Sequence, residues 1–169
     1  GDILKVAFAP DSRTVATAST DQTVRLWDVE TKTELQRFQG INAWATALAF
    51  SPDGRTLAIS GRDRPIRLWD LDKENGNKQL TGHSGSVNDV VISQKTRKVL
   101  TASDDKTIRV WNLKNKKRIF EVPSKTDQVW SVDLSPKGDF FAYGTALDIT
   151  HVVKTSGNQH LKQLPGYSV

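Results

Sequence analysis

Short apolar runs alternate with polar breaks along the whole chain, and nothing reads as a helix longer than a turn. Residues 4–9 (LKVAFA) alternate and end at Pro10-Asp11-Ser12-Arg13, a turn sequence. Residues 14–19 (TVATAS) are small and β-branched. Thr20-Asp21-Gln22 makes a short turn into residues 23–29 (TVRLWDV), residues 29–33 are polar, and residues 34–40 (ELQRFQG) close the unit. Four short strand-like segments at spacings of roughly 8–12 residues, with turn signals between them, predict four β-strands. The unit then recurs as a 42-residue repeat: Trp27, Trp69 and Trp111 stand in TVRLWDV, PIRLWDL and TIRVWNL. Phe8, Phe50, Ile92 and Leu134 keep the same spacing, and four units fill all but one of the 169 residues. The strands are therefore placed near 3–9, 14–19, 23–28 and 34–39, then one and two repeat periods later, with a fourth set near 129–135, 140–145, 149–154 and 159–164. Ser51-Pro52-Asp53-Gly54 and Ser135-Pro136-Lys137-Gly138 repeat the first turn, Pro presetting φ and Gly accepting positive φ. Pro65 falls at the first position of its strand, where a missing N–H is tolerated.

The fold class is all-β, and a repeat of this size, within the range of roughly 20–50 residues, belongs to solenoids, propellers or arrays. Composition narrows the chemistry. With 25% charged and 37% hydrophobic residues the chain has the balance of a soluble globular domain, and no run reaches the ~18 apolar residues of a membrane span. The 24 Lys and Arg against 19 Asp and Glu are spread through every unit, so the net charge of +5 reads as a solvated surface. There is no cysteine, which excludes disulfides and Cys-based zinc sites. The three histidines, His83, His151 and His160, are too scattered for metal-ligand spacing, and no cofactor motif is present. No signal-peptide pattern opens the sequence, and an intracellular, cytoplasmic location is the expectation.

The repeated phrase, its Trp-Asp dipeptide and Gly82-His83 ahead of the third unit resemble the WD40-repeat β-propellers over the whole chain. The resemblance implies an arc of four four-stranded antiparallel blades, approximately 1–40, 41–82, 83–124 and 125–169, each with its innermost strand on a central channel. It also implies a structural tetrad in each blade. The third unit supplies all four residues, His83, Thr101, Asp105 and Trp111. The first supplies Thr17, Asp21 and Trp27. The second supplies Asp63 and Trp69, with Ile41 and Ile59 where His and Thr are expected. The fourth has lost the set, showing Lys125, Tyr143, Leu147 and Val153. A Ser/Thr-His-Asp grouping is also how hydrolases activate a nucleophile. Here the structural role is favoured, because the resemblance buries the set and no oxyanion-hole motif is visible.

Propellers that resemble this chain act as binding platforms, and the resemblance carries their contact positions onto one rim. The residues flanking the start of each inner strand are Asp2/Leu4, Trp44/Thr46, Ser86/Asn88 and Gln128/Trp130, and those before the tetrad Asp are Thr20, Arg62, Asp104 and Ala146. Trp44 and Trp130 stand outside the tetrad, and Trp and Arg are enriched at interface hot spots. The expected partner-binding set is Trp44, Thr46, Arg62, Asn88, Asp104, Gln128 and Trp130. Arg25, Arg67 and Arg109 also recur, with His151 in the fourth place. Since Arg or Lys is ordinary there in the resembled family, packing and solvation are expected rather than phosphate reading. Residues 114–118 (KNKKR) would suit an acidic partner or a lipid headgroup but lack the interleaved aromatics of nucleic-acid readers.

These readings favour a non-enzymatic protein-interaction scaffold. The alternative is a sensor or substrate-recruiting module of a larger enzyme or signalling protein whose catalytic part lies elsewhere; a hydrolase and a nucleic-acid or membrane surface are less favoured. Four blades of the usual width span only about half a ring. The expectation is a fragment or a half-ring, closed by further blades, by self-association or by another chain.

Overall fold

The computed structural model describes residues 1–169 apart from 74, 75, 94, 125, 126, 147, 148, 157, 158 and 166–169, and the side chains of 159–163 and 165. The described chain is all strand and turn. The first sheet comprises β1 (Ile3–Phe8), β2 (Thr14–Ser19), β3 (Val24–Asp28) and β4 (Thr33–Phe38). The second comprises β5 (Ala45–Phe50), β6 (Thr56–Gly61), β7 (Ile66–Asp70) and β8 (Asn77–Leu80). The third comprises β9 (Val87–Ser93), β10 (Lys98–Ser103), β11 (Thr107–Asn112) and β12 (Arg118–Pro123). The fourth comprises β13 (Val129–Leu134), β14 (Phe140–Thr145), β15 (Ile149–Lys154) and β16 (Gln159–Pro165). Each sheet is antiparallel and follows chain order, and β1, β5, β9 and β13 pack in succession as the innermost strands. This is an arc of four propeller blades.

The 42-residue period extends to the backbone. Gln22, Arg64 and Lys106 take φ of 68°, 82° and 66°, each one residue after the tetrad Asp. In the first turn of the second and fourth units the left-handed residue is Gly54 (φ 72°) or Gly138 (φ 77°), whereas the first unit puts Ser12 there (φ 59°) and the third puts Arg97 one place later (φ 52°), a conformation only Gly adopts without steric cost. The Asp of Trp27-Asp28 closes the next turn: its Oδ1 accepts the N–H groups of Glu30 and Thr31, both at 2.9 Å. Asn112 does the same for Lys114 and Asn115 at 2.8 and 3.1 Å. Pro65 departs from expectation. It lies just before β7 and its carbonyl accepts the Ser60 hydroxyl at 3.0 Å, so it ends the turn and does not open the strand.

The core lies between blades. Ala16, Ala18, Val24, Leu26 and Phe38 of the first blade pack on Leu48, Leu57 and Ile59 of the second, with the Phe38 ring 4.9 Å from that of Trp69. The next two junctions repeat the arrangement, ending with Leu100, Ile108 and Val110 against Val132, Phe141, Tyr143 and Val153. Inner blades are covered on both faces, which is why their strands read as nearly continuous apolar runs. Each fully buried Leu, Ile or Val contributes roughly 1.5–3 kcal/mol. The fourth blade, without a tetrad, fills the equivalent space with aromatic contact: Tyr143 stacks on His151 at 4.6 Å, and burial pushes its hydroxyl pKa up to about 12. Lys125 and Leu147, the other two altered positions, lie outside the described residues.

Candidate partner-binding site

The tetrad of the third blade is one connected network. His83 Nδ1 lies 2.7 Å from Asp105 Oδ2, His83 Nε2 lies 2.7 Å from Thr101 Oγ1, and Trp111 Nε1–H donates to Thr101 Oγ1 at 3.0 Å. With Asp105 ionised, His83 Nδ1 carries the proton between them, and Thr101 Oγ1 joins the imidazole to the Trp111 indole. Burial works to raise the Asp105 carboxyl pKa, but hydrogen bonds from His83, Thr107 and the Ser84 N–H outweigh it and hold the pKa well below the usual carboxylate range. Thr101 is completely buried, with its oxygen engaged on both sides, so it presents nothing to a substrate. Among the described residues no group of three or more acidic or histidine side chains is placed to hold a metal.

The other blades show what happens as the network is dismantled. In the first, Trp27 Nε1 still donates to Thr17 Oγ1 at 2.9 Å, and Asp21 turns to Arg25 at 3.1 Å. In the second, Ile59 replaces the hydroxyl, and Trp69 Nε1 finds no acceptor among the described residues. Asp63 is compensated instead by Arg67, 2.5 Å away with both side chains buried, and by the Asn42 N–H at 3.0 Å. The recurrent arginines are therefore not a solvated stripe. Arg67 and Arg109 are buried, and Arg109 pairs with Glu121 at 2.9 Å. Each serves a carboxylate of its own blade, and none is offered to phosphate.

The rim positions come together through two repeating backbone devices. A main-chain bond joins the residue before each inner strand to the residue before the tetrad Asp: Thr20 N to Asp2 O (3.0 Å), Arg62 N to Trp44 O (3.2 Å), Asp104 N to Ser86 O (2.9 Å) and Ala146 N to Gln128 O (3.2 Å). A β-bulge then skips one residue of each inner strand in the ladder: Leu4, Thr46, Asn88 or Trp130. Bulges re-aim side chains at sheet rims. The outcome is a cavity of about 570 Å³ lined by Leu4, Trp44, Thr46, Arg62, Asn88, Asp104, Gln128 and Trp130. All seven expected contact residues line it. Asp2, Ser86, Thr20 and Ala146 do not, and they serve through their backbone bonds.

Within the cavity the side chains divide by role. Trp44 is 42% exposed and Trp130 62%, so neither is packed beneath a loop or between blades. The Arg62 guanidinium lies over the Trp44 ring, its Cζ 4.0 Å from the centroid, an attraction worth about 0.5–1 kcal/mol at an exposed site. Thr46 and Asn88 are committed inward: the Thr46 hydroxyl donates to Val87 O at 2.8 Å, and the Asn88 amide donates to Val129 O at 3.0 Å and to Asp104 Oδ1 at 2.7 Å. These two tie the second blade to the third and the third to the fourth and hold the floor, while Trp44, Arg62 and Trp130 face outward. Gly61 sets the spacing of Trp44 and Arg62. A Cβ there would sit 2.0 Å from the Trp44 carbonyl oxygen, so any other residue would force the two strands apart.

Three matches to the family described as WD domain, G-beta repeat cover residues 1–28, 32–70 and 76–112. The chain belongs to the WD40-repeat family. A search among curated proteins finds no match. The WD40 matches end within the third blade, yet the fourth has the same strand order and the same bulge. WD40 repeats generally serve as protein-interaction scaffolds, and the cavity lies at the strand ends where their repeated turns converge. Gly61 was not recognisable as a site residue from the sequence. The only signal is that Gly stands where the other units have Ser19, Ser103 and Thr145. Asp89 was also missed: it accepts Lys5 Nζ of the first blade at 3.2 Å and the Val132 N–H of the fourth at 3.1 Å, linking three blades around the channel.

Proposed function

We propose that this WD40 chain is a non-catalytic interaction scaffold that holds a protein or peptide partner in the rim cavity. Trp44, Arg62 and Trp130 supply the contacts, and Thr46, Asn88, Asp104 and Gln128 shape the floor. The observation that carries this reading is the pair of exposed tryptophans sharing one concave surface with Arg62. Large aromatic area left in water has no folding rationale, and Trp and Arg are the side chains that anchor interfaces. The test is affinity capture with wild type beside Trp44→Ala/Trp130→Ala, with melting curves of both. The expected result is loss of the partner with an unchanged melt. Retention of the partner, or collapse of the fold, would refute it.

The scaffold reading includes completion of the ring. Val6 and Phe8 on the first blade are 60% and 66% exposed, whereas Leu48, Val90 and Val132, the counterparts of Val6, are 2%, 4% and 5% exposed. A neighbouring blade from further sequence, a second copy or another chain would bury this face, gaining roughly 1.5–3 kcal/mol per large side chain. Light scattering separates a self-associated ring from a monomeric arc, and the arc is the outcome that removes self-association.

A further inference from the structure

We propose that the groove between the second and third blades, at the end of the strands opposite the rim cavity, binds a phosphate-bearing anion. It is a hollow of about 250 Å³ lined by Thr56, Leu68, Asp70, Lys73, Gly76, Lys78, Lys114 and Lys116. Among the described residues the lining brings four lysines from two blades together with one carboxylate, Asp70, which Lys73 already holds at 3.1 Å. The repeat supplies an internal control. The corresponding groove between the first and second blades shares four positions, with Thr14 for Thr56, Leu26 for Leu68, Gln36 for Lys78 and Asp72 for Lys114, and it extends beyond them over Asp11, Asp53 and Arg55. The fold therefore requires a groove at this junction but not its charge: two of the four shared positions carry lysine here and glutamine or aspartate at the preceding junction.

The turn that carries Lys114 and Lys116 is held in place. Asn112 Oδ1 fixes the turn by accepting the Lys114 and Asn115 N–H groups, and Lys116 adopts φ 63° with its N–H bonded to Asn112 O at 2.9 Å. The half-buried Lys116 ammonium turns back to donate to the Leu113 carbonyl. Burial first and the nearby Lys78 charge second lower its pKa, against the opposing pull of Asp70. Lysine is a compact point charge suited to phosphate oxygens. A hollow slightly below the ~300 Å³ lower bound for drug-sized pockets suits a group with one or two phosphates. Such a group is free in solution or is the headgroup of a lipid, and the chemistry is the same.

The probe is inorganic pyrophosphate, titrated calorimetrically into the 169-residue chain at about 0.15 M salt. The variants are Lys78→Gln/Lys114→Gln, both exposed in the groove, and Lys137→Gln/Lys154→Gln, an exposed pair on the fourth blade with the same loss of charge. Wild type and the fourth-blade pair should bind alike, and the groove pair about tenfold more weakly. Absence of binding to wild type, undiminished binding by the groove pair, or equal weakening of both pairs would overturn the proposal. Phosphatidylcholine vesicles carrying phosphatidylinositol 4-phosphate, compared with charge-matched phosphatidylserine vesicles, distinguish the sources. Groove-dependent retention on the former supports a headgroup, and pyrophosphate binding without vesicle retention, or with equal retention on both vesicle types, supports a soluble anion.

Discussion

Replacing Thr101 by valine removes one oxygen from the centre of the third blade and changes almost nothing in volume. That oxygen is fully buried, accepts the Trp111 indole N–H at 3.0 Å and sits 2.7 Å from His83 Nε2. In Thr101→Val both partners lose their hydrogen bond where water does not reach. Each orphaned buried polar group costs about 1–3 kcal/mol, so the expected loss is roughly 2–5 kcal/mol. Thr17→Val in the first blade is the matched comparison. Thr17 serves only the Trp27 indole, and both are partly exposed, so the loss there should stay near roughly 0.5–1 kcal/mol. Urea unfolding followed by circular dichroism gives the midpoint and slope for both variants, and an unchanged slope licenses the comparison. A Thr101→Val loss no larger than that of an ordinary surface substitution, about 0.5 kcal/mol, would refute the reasoning. So would a Thr17→Val loss as large as that of Thr101→Val, because the network would then not be what stabilises the third blade. The second blade shows that such a loss can be absorbed: Ile59 stands in the Thr place and the Trp69 indole has no acceptor among the described residues.

Arg67→Met should cost roughly 3–5 kcal/mol by leaving Asp63 charged and buried, and Asp63→Asn/Arg67→Met should recover most of it in the same urea assay. Because the folded-state pKa of Asp105 is depressed, its contribution is full above its unfolded value of about 4 and is lost as pH falls through the lower folded value. Wild type should therefore lose stability below pH ~4 more steeply than Asp105→Asn, which thermal melts across pH would read. Gly61→Ala should destabilise the chain and disturb the Trp44–Arg62 stack, seen as a change in tryptophan fluorescence. Asp89→Ala should cost about 1–2 kcal/mol by freeing the Val132 N–H, measured by denaturant midpoint.

Strand positions were legible because a 42-residue period fixes them independently four times over; the ends agree with the expected ones to within a residue or two. The tetrad residues of the third blade were legible through the resemblance to the WD40 family, whose pattern Gly82-His83, Thr101, Asp105 and Trp111 match in spacing. Arg67 and Arg109 were not legible. An arginine in an exposed strand and one buried against a carboxylate look the same in sequence, and only the removal of both faces from water distinguishes them. The inward commitment of Thr46 and Asn88 was equally hidden, since their acceptors Val87 and Val129 each lie 41 residues away.

The amino-acid sequence by itself determined the repeat, the all-β class, the number of blades and the residues that stand outside the packing pattern. The first three follow from local alternation, turn chemistry and the repeat period, and the tetrad and the rim residues outside it were read through the resemblance to the WD40 family. The tertiary structure decided how the blades' outliers combine. One bulge and one backbone bond per blade turn four separate sets of rim residues into a single cavity, and adjacent blades bring Lys78 and Lys114, far apart in sequence, into one groove. Charge and exposure at those places depend on neighbours that become adjacent only when the sheets stack.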